Sequence, residues 1–196
     1  EGAGKSTQEK LLGEFLQQRG HTVTRTREPG GTPAAEVIRN LVLSHDYEGL
    51  NARSEALLFA AARGDHVERV IRPALQRGDI VICDRYIDSS IAYQGYARGL
   101  GVEEVRDLSL WVTKDLLPDL TIVLSLDPEI GLSREKNHDR LESEPMQYHR
   151  AVSDAYLQMA ARDPDRYLVI DAVQDQDVIA HIIQDRVIQE IDKTNG

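Results

Sequence analysis

Glu1-Gly2-Ala3-Gly4-Lys5-Ser6-Thr7 is the closing half of a G-x-x-x-x-G-K-[ST] pattern, and it runs straight into a stretch of helical periodicity. Gln8, Leu11, Leu12, Phe15 and Leu16 repeat with the spacing of one buried helix stripe, and Gly20 after Arg19 stands in the place of a C-terminal stop. A helix therefore starts where the pattern requires one. In such a loop, glycines let backbone N–H groups crowd around phosphates. The lysine reaches the outer phosphate oxygens and the hydroxyl binds Mg²⁺. Gly2, Ala3, Gly4, Lys5, Ser6 and Thr7 thus read as a nucleotide-phosphate loop, with Ser6 as the metal-binding hydroxyl. The first glycine of the pattern is expected two residues before Glu1, behind a hydrophobic strand, so the sequence reads as opening inside the motif.

Beyond the loop, short apolar runs alternate with longer amphipathic ones, the pattern of β-α units wound on a mostly parallel sheet. Strands are expected at Thr22–Thr26, Ile80–Cys83, Leu120–Leu126 and Tyr167–Ile170, and the strand expected before Glu1 would make five. Helices are expected at Ala34–Leu43, Ser54–Arg77, Val102–Thr113, Pro128–Lys136, Met146–Arg162 and Gln176–Ile191. The fold class is α/β, with residues 1–196 as one domain and no repeat or linker.

In a sheet of this kind ligands bind beyond the carboxyl ends of the strands. Arg27-Glu28-Pro29-Gly30-Gly31-Thr32, Asp84-Arg85-Tyr86 and Asp127-Pro128 each follow an expected strand, so they should converge on one cleft. The net charge of −10 argues against the broad basic face that a polynucleotide requires. No apolar run approaches the roughly 20 residues needed to span a bilayer. The six histidines lack metal-ligand spacing, which speaks against structural zinc. The lone Cys83, inside an apolar run, excludes an internal disulfide, suits a reducing cytoplasm and is expected to pack as an inert small hydrophobe.

Thr26-Arg27-Glu28-Pro29-Gly30-Gly31-Thr32, Leu58-Phe59-Ala60-Ala61-Ala62-Arg63, Asp84-Arg85-Tyr86 with Ser89-Ser90 and Ala92-Tyr93-Gln94-Gly95, and Leu117-Pro118-Asp119-Leu120-Thr121 together resemble the thymidylate kinases, nearly end to end and in order. The resemblance implies a P-loop NTPase fold, transfer of the γ-phosphoryl of Mg-ATP to the 5′-phosphate of dTMP, and a homodimer packed through helices, one of them Ser54–Arg77. It implies that Arg85 and Arg39 grip the acceptor phosphate and that Asp84 orders Mg²⁺ through water. Phe59 would stack on thymine while Arg63, Ser90 and Gln94 face its edge, with Ser89 supporting the turn. Tyr93 would crowd the sugar C2′, and Glu1 would hold the 3′-hydroxyl. Asp171-Ala172-Val173 falls where such enzymes hold adenine. The chemistry agrees with such a transfer: a phosphate monoester has its second pKa near ~6, so the attacking oxygen is already ionised and no general base is needed. Catalysis must then come from positioning and from cations around the transferring group.

Some thymidylate kinases carry an arginine at the position of Gly2, and this chain does not. The missing cation is expected from the charge-rich segment at about 134–144, which resembles a mobile lid; Arg140 and Arg134 are the candidates and Lys136 a weaker one. Two other readings remain open on the sequence. A kinase for a different nucleoside monophosphate or for a deoxynucleoside would keep the loop, the latter needing a carboxylate base such as Glu1 or Asp84. A nucleotide switch would also keep it, but has no use for Phe59, Arg63, Tyr93 and Gln94, and the chain has no N-K-x-D signature.

Overall fold

Four five-residue strands carry the architecture: β1 (Val23–Arg27), β2 (Ile80–Asp84), β3 (Thr121–Ser125) and β4 (Tyr167–Asp171). The computed structural model describes residues 1–134 and 138–195. The helices are α1 (Lys5–Gln18), α2 (Pro33–Leu43), α3 (Ala52–His66), α4 (Arg72–Gln76), α5 (Ile87–Ser90), α6 (Val102–Thr113), α7 (Pro128–Arg134), α8 (Met146–Arg162) and α9 (Gln176–Asn195). All four expected strands are present and parallel, but they form two ladders rather than one. β1 pairs with β2 from Val23↔Ile80 to Arg27↔Asp84, and β3 pairs with β4 from Thr121↔Tyr167 to Ser125↔Asp171. Among the described residues β2 and β3 are not hydrogen-bonded to each other, and every residue of both is only half-buried. A fifth strand, expected ahead of Glu1, falls outside these elements.

Leu12 and Leu16 of α1 pack with Ile170 of β4 and with Ile179 and Ile183 of α9, and Val23, Ile80, Ile82, Ile122 and Leu124 close around them. α1 thereby reaches both strand pairs from one side and holds the loop at its N-terminus over their ends. At the head of α2, Thr32 caps the helix by accepting from the Ala35 N–H at 3.1 Å, and Pro33 occupies the first turn, where no backbone donor is required.

The single helix expected over Ser54–Arg77 is helical throughout, but in three pieces. A π-helical turn at Val67–Ile71 separates α3 from α4. Pro73 explains it: a proline ring clashes with the carbonyl four residues back, here Arg69, and a wider turn relieves the clash. A helical segment that sequence reading missed spans α5 and a π-helical run at Ile91–Ala97. Ser89, Ser90, Gln94 and Gly95 interrupt its periodicity, yet Ile87, Ile91 and Ala92 are buried, the last against Tyr148, Val152 and Ala155 of α8. A Cβ on Gly95 would lie 3.1 Å from the Gly101 carbonyl, so α6 begins against a bare backbone.

A polar knot ties these helices together. Glu55 of α3 is fully buried and accepts from Gln94 Nε2 at 3.0 Å, Arg140 Nη2 at 2.6 Å and Arg98 Nη2 at 3.2 Å. Burial pushes its carboxyl up, but the bonds from Gln94, Arg140 and Arg98 outweigh burial and hold it below its ordinary value of 4.5. Because the folded value lies below the unfolded one, the grip contributes fully above pH 4.5 and is lost as pH falls through the lower folded value. Unfolding free energy from urea titrations should therefore fall as pH is taken below 4.5, and less steeply in Glu55→Gln. Equal acid slopes in the two proteins would remove Glu55 from the account.

Candidate active site

The phosphate loop owes its shape to two glycines in the left-handed region, Gly2 at φ 61° and Gly4 at φ 87°, the latter leading directly into α1. Gly2 has a second constraint, since a Cβ there would run into the carbonyl of Gly131 in α7, and one on Gly131 would run into the carbonyl of Glu1. No side chain, and so no cation, fits at Gly2. Instead α7 brings a cation from outside: Arg134 Nη1 donates to the Gly2 carbonyl at 3.0 Å.

Beside the loop, over the carboxyl ends of β1 and β2, lies a cavity of about 230 Å³. Lys5 and Ser6 of α1, Asp84 and Arg85 at the end of β2, and Arg39 of α2 share its wall. Arg85 adopts φ 69°, a left-handed conformation that non-glycine residues rarely take, and it directs the guanidinium toward the loop instead of along the strand. That guanidinium donates to Glu1 and lies 5.1 Å from the centre of the Tyr93 ring. Glu1 also accepts from Lys5 Nζ at 3.4 Å and from the Tyr93 hydroxyl at 3.1 Å. One carboxylate thus stands between two cations, in the position an anionic group of a substrate would require. Burial pushes the Tyr93 phenol upward, so it acts as a neutral donor. Arg39 Nη1 donates to the Pro29 carbonyl at 2.8 Å, at a cis Glu28–Pro29 bond.

The cavity wall also carries an aromatic ring. Phe59, Arg63, Ser90 and Gln94 meet there, Ser89 at the edge. Phe59 also belongs to a small core with Val42 and Leu141, so the same ring closes the core and faces the cavity. Arg63, one helical turn from Phe59, is buried, at 2% exposed. Its Nε donates to Glu28 at 2.7 Å, Nη1 to Ser109 at 3.2 Å, and Nη2 to Ser90 at 3.0 Å and the Tyr86 carbonyl at 3.1 Å. Glu28 is held on its other oxygen by His66 Nδ1 at 3.0 Å, while His66 Nε2 meets Thr26 Oγ1 at 2.6 Å. Ser89 Oγ is bonded to the Tyr156 hydroxyl at 2.7 Å, which pins the turn to α8.

Arg140 is not brought to the loop. It is 6% exposed, and its guanidinium is taken up by Glu55 and by the Val42 carbonyl, 2.9 Å from Nε, because the chain at Arg140 folds back onto α2 and α3. Lys136 lies outside the described residues. Asp171 ends β4, and Ala172 and Val173 follow it; none of the three lines the cavity, and Val173 N–H closes a turn on Asp171 Oδ1 at 3.0 Å. Cys83 donates to the Arg85 carbonyl at 3.0 Å, and burial pushes its thiol well up, in keeping with an unreactive side chain.

Sequence reading missed Glu28, Glu55 and His66 as residues that hold the site, and Asp139, Leu141 and Glu142 as part of its wall. The sequence held no signal for them: Glu55 stands with Arg53 and Ser54 ahead of the apolar run at 56–62, and only the structure shows that a Cβ on Gly31 would approach His66 Nε2 to 2.7 Å. Ser6 and Asp84 are hard oxygen donors on one wall, and no group of three or more His, Cys, Asp or Glu suited to a metal occurs among the described residues. That set fits Mg²⁺, which keeps several waters and phosphate oxygens and takes only one or two protein ligands.

Comparison with known proteins agrees with this geometry. The family model described as thymidylate kinase matches residues 1–183. A thymidylate kinase of Clavibacter sepedonicus is 50% identical over 95% of this chain and 90% of its own length. One from Bacillus pumilus is 43% identical over 100% of this chain and 94% of its own. The crystal structure of thymidylate kinase from Ehrlichia chaffeensis superposes with a TM-score of 0.78 at 35% identity, covering 96% of this chain and 94% of that one, which makes the fold that of the P-loop NTPases. The chain belongs to the thymidylate kinase family, nucleoside-monophosphate kinases that convert dTMP to dTDP with ATP on the way to dTTP.

Proposed function

We propose that dTMP occupies the cavity between the phosphate loop and Phe59, with its phosphate toward Arg85 and Arg39 and its base toward Phe59, Arg63, Ser90 and Gln94. The observation that carries this reading is the pairing of Lys5 and Arg85 on Glu1, two cations converging where donor and acceptor phosphates must meet. On this reading the backbone of Gly2, Ala3, Gly4, Lys5, Ser6 and Thr7 cradles the ATP phosphates. Ser6 and Asp84, the latter through water, would hold Mg²⁺, which neutralises charge on the phosphates. An acceptor phosphate brings its own ionised nucleophile, so the protein's task is to screen two polyanions and align them. Arg85 and Lys5 then move from the Glu1 carboxylate to phosphate oxygens, which frees Glu1 for a sugar hydroxyl. Tyr93, beside Glu1, is well situated to limit space at C2′. In a protein of net charge −10, the cluster of Lys5, Arg27, Arg39, Arg63 and Arg85 around one cavity directs the attraction for nucleotides to it. Residues 1–196 act as one domain, with the segment at about 134–144 as its lid.

A panel of dTMP, dCMP, UMP, CMP and thymidine, assayed by coupled ADP release, tests the assignment. dTMP should be turned over far faster than the others. Equal rates on dTMP and CMP would sink the thymidylate assignment while leaving a monophosphate kinase.

Arg134, already on the loop, is assigned the cation for the transferring phosphoryl that Gly2 cannot supply, and Arg140 the anchoring of the lid. Arg134→Ala should lower kcat by roughly 10³ with dTMP affinity nearly unchanged, as for a finger that acts in the transition state. Arg140→Ala should instead cost about 3 kcal/mol of stability by breaking a buried pair. The reverse pattern would return Arg140 to the catalytic role.

A homodimer and a cytoplasmic location complete the proposal. Among the described residues no helix is long and apolar enough to cross a membrane. α3 and α6 lie side by side, with Gly64 against Val112, and they leave Leu57 and Trp111 exposed, Trp111 by 78%. Such apolar exposure suits a partner surface. Trp111 is the only tryptophan, so its emission should shift to the blue as protein concentration rises through the dimerisation range. A monomer by sedimentation at about 50 μM, in the micromolar range where a specific interface is normally occupied, would rule this surface out.

A further inference from the structure

The amide of Gln94 faces the cavity beside Phe59 and Ser90, and its orientation decides what hydrogen-bonding partner a ring placed there must present. An amide oxygen and an amide NH₂ are nearly indistinguishable by shape, so a glutamine alone leaves that choice open. Here a neighbour closes it. Glu55 Oε1 lies 3.0 Å from Gln94 Nε2, and the Glu55 carboxylate is clamped by Arg98 and Arg140. An ionised carboxylate only accepts, so Gln94 must turn its NH₂ to Glu55. The oxygen is left over: Gln94 Oε1 accepts from no described residue, and it is not sealed off from the cavity. Gln94 as a whole is 1% exposed, so it has no room to swing away.

We infer that Glu55 is a specificity-determining positioning residue: by holding the Gln94 NH₂, it presents the Gln94 carbonyl oxygen to the base and selects pyrimidines whose ring N3 carries a hydrogen. Thymine and uracil offer that N–H. Cytosine offers a lone pair at N3, which would face the lone pairs of Oε1 in a site where neither group reaches water, and such a mismatch is a strong ground for rejection. Arg98 and Arg140 act one step further back, because they keep Glu55 ionised and in place. Arg98 also reaches Glu144 at 2.6 Å, so the same knot joins the segment after the lid to the base end of the cavity.

The inference rests on the acceptor site proposed above, and the test separates the two. kcat/KM is measured for dTMP and dCMP in the full-length protein, in Glu55→Gln, in Gln94→Ala and in the double variant. A glutamine at 55 can offer either end of its amide, so Gln94 loses its fixed orientation. The dTMP-over-dCMP ratio should then fall about tenfold or more. It should fall similarly in Gln94→Ala, and Glu55→Gln should cause no further loss of ratio once Gln94 is gone. A purely structural Glu55 would change stability and both substrates alike, leaving the ratio untouched, and that result overturns the inference. Equal rates on both substrates in the unmodified protein would remove the acceptor site and this inference with it; strong discrimination kept by a folded Glu55→Gln removes the inference alone. Should Glu55→Gln fail to fold, the unmodified protein decides by side-chain amide NMR. Gln94 Nε2 protons slow to exchange without nucleotide support the bond to Glu55, and fast exchange overturns it.

Discussion

A carboxylate taken out of water must be matched by donors, and that requirement organises this molecule. Glu28, Glu55 and Asp88 are buried, and each binds at least one guanidinium: Arg63, then Arg98 with Arg140, then Arg166 at 3.0 Å. Removing one partner of such a pair leaves an uncompensated charge, so each pair fixes the elements that carry it. Glu28 follows β1 and Arg63 lies on α3. Glu55 joins α3 to the missed helical segment and to the chain after the lid. Asp88 joins that segment to β3 and β4, through Thr121 Oγ1 at 2.9 Å and the Tyr167 hydroxyl at 2.5 Å. The cleft is thus positioned by acid–arginine ties between helices as well as by the strands whose ends carry its loops.

This is also where sequence reading ran out. β1 to β4 were legible because β-branched runs such as Ile80-Val81-Ile82 between turn residues have few other uses, and α1 was legible from its leucine stripe. The phosphate loop and the turn after β1 carried their chemistry in glycine spacing. By contrast, nothing in a list of 33 acids reveals which three or four are buried, and those acids determine which arginines are free to act. Arg140 and Arg134 look equivalent in a charged segment; only the fold shows that Glu55 has taken up the first. The helical segment at 87–97 was missed for a related reason, since Ser89, Ser90, Gln94 and Gly95 are chosen for the cavity and for close packing, at the expense of helical periodicity.

Two glycines in contact settle the question of where a cation can enter. Gly2 and Gly131 approach so closely that neither tolerates a Cβ, and this contact sets α7 directly against the phosphate loop. The consequence is reciprocal. A side chain at Gly2 would push α7 away, and α7 in its present position excludes one while delivering Arg134 to the Gly2 carbonyl. On the assignment of Arg134 proposed above, loop and helix α7 are alternative sources of one charge, and the backbone contact leaves α7 as the one that can supply it. A cation delivered from a helix end can be withdrawn when that helix moves, which a residue within the loop cannot be, so the proposed role of Arg134 would tie charge stabilisation to closure.

The segment from Arg85 to Arg98 shows how recognition of phosphate and base is kept in register. Ser89, Ser90, Tyr93 and Gln94 follow one another along a single helical stretch with a widened turn, which Arg85 precedes and Arg98 caps. Asp88 fixes its beginning to the strands, Ala92 packs its middle on α8, and Arg98 fixes its end to Glu55. The arginine proposed for the acceptor phosphate and the glutamine proposed for the base are therefore not set independently by two loops. On the acceptor site proposed above, a ligand that is wrong at the base end would strain the element that follows Arg85, and with Glu55 gripping both Gln94 and Arg140, the strain would reach the segment around Arg140 as well. Misplacement by a fraction of an ångström suffices to slow a transfer that depends on alignment alone. The rejection of a wrong base can thus be expressed in turnover as well as in affinity, through covalent continuity and two buried acids.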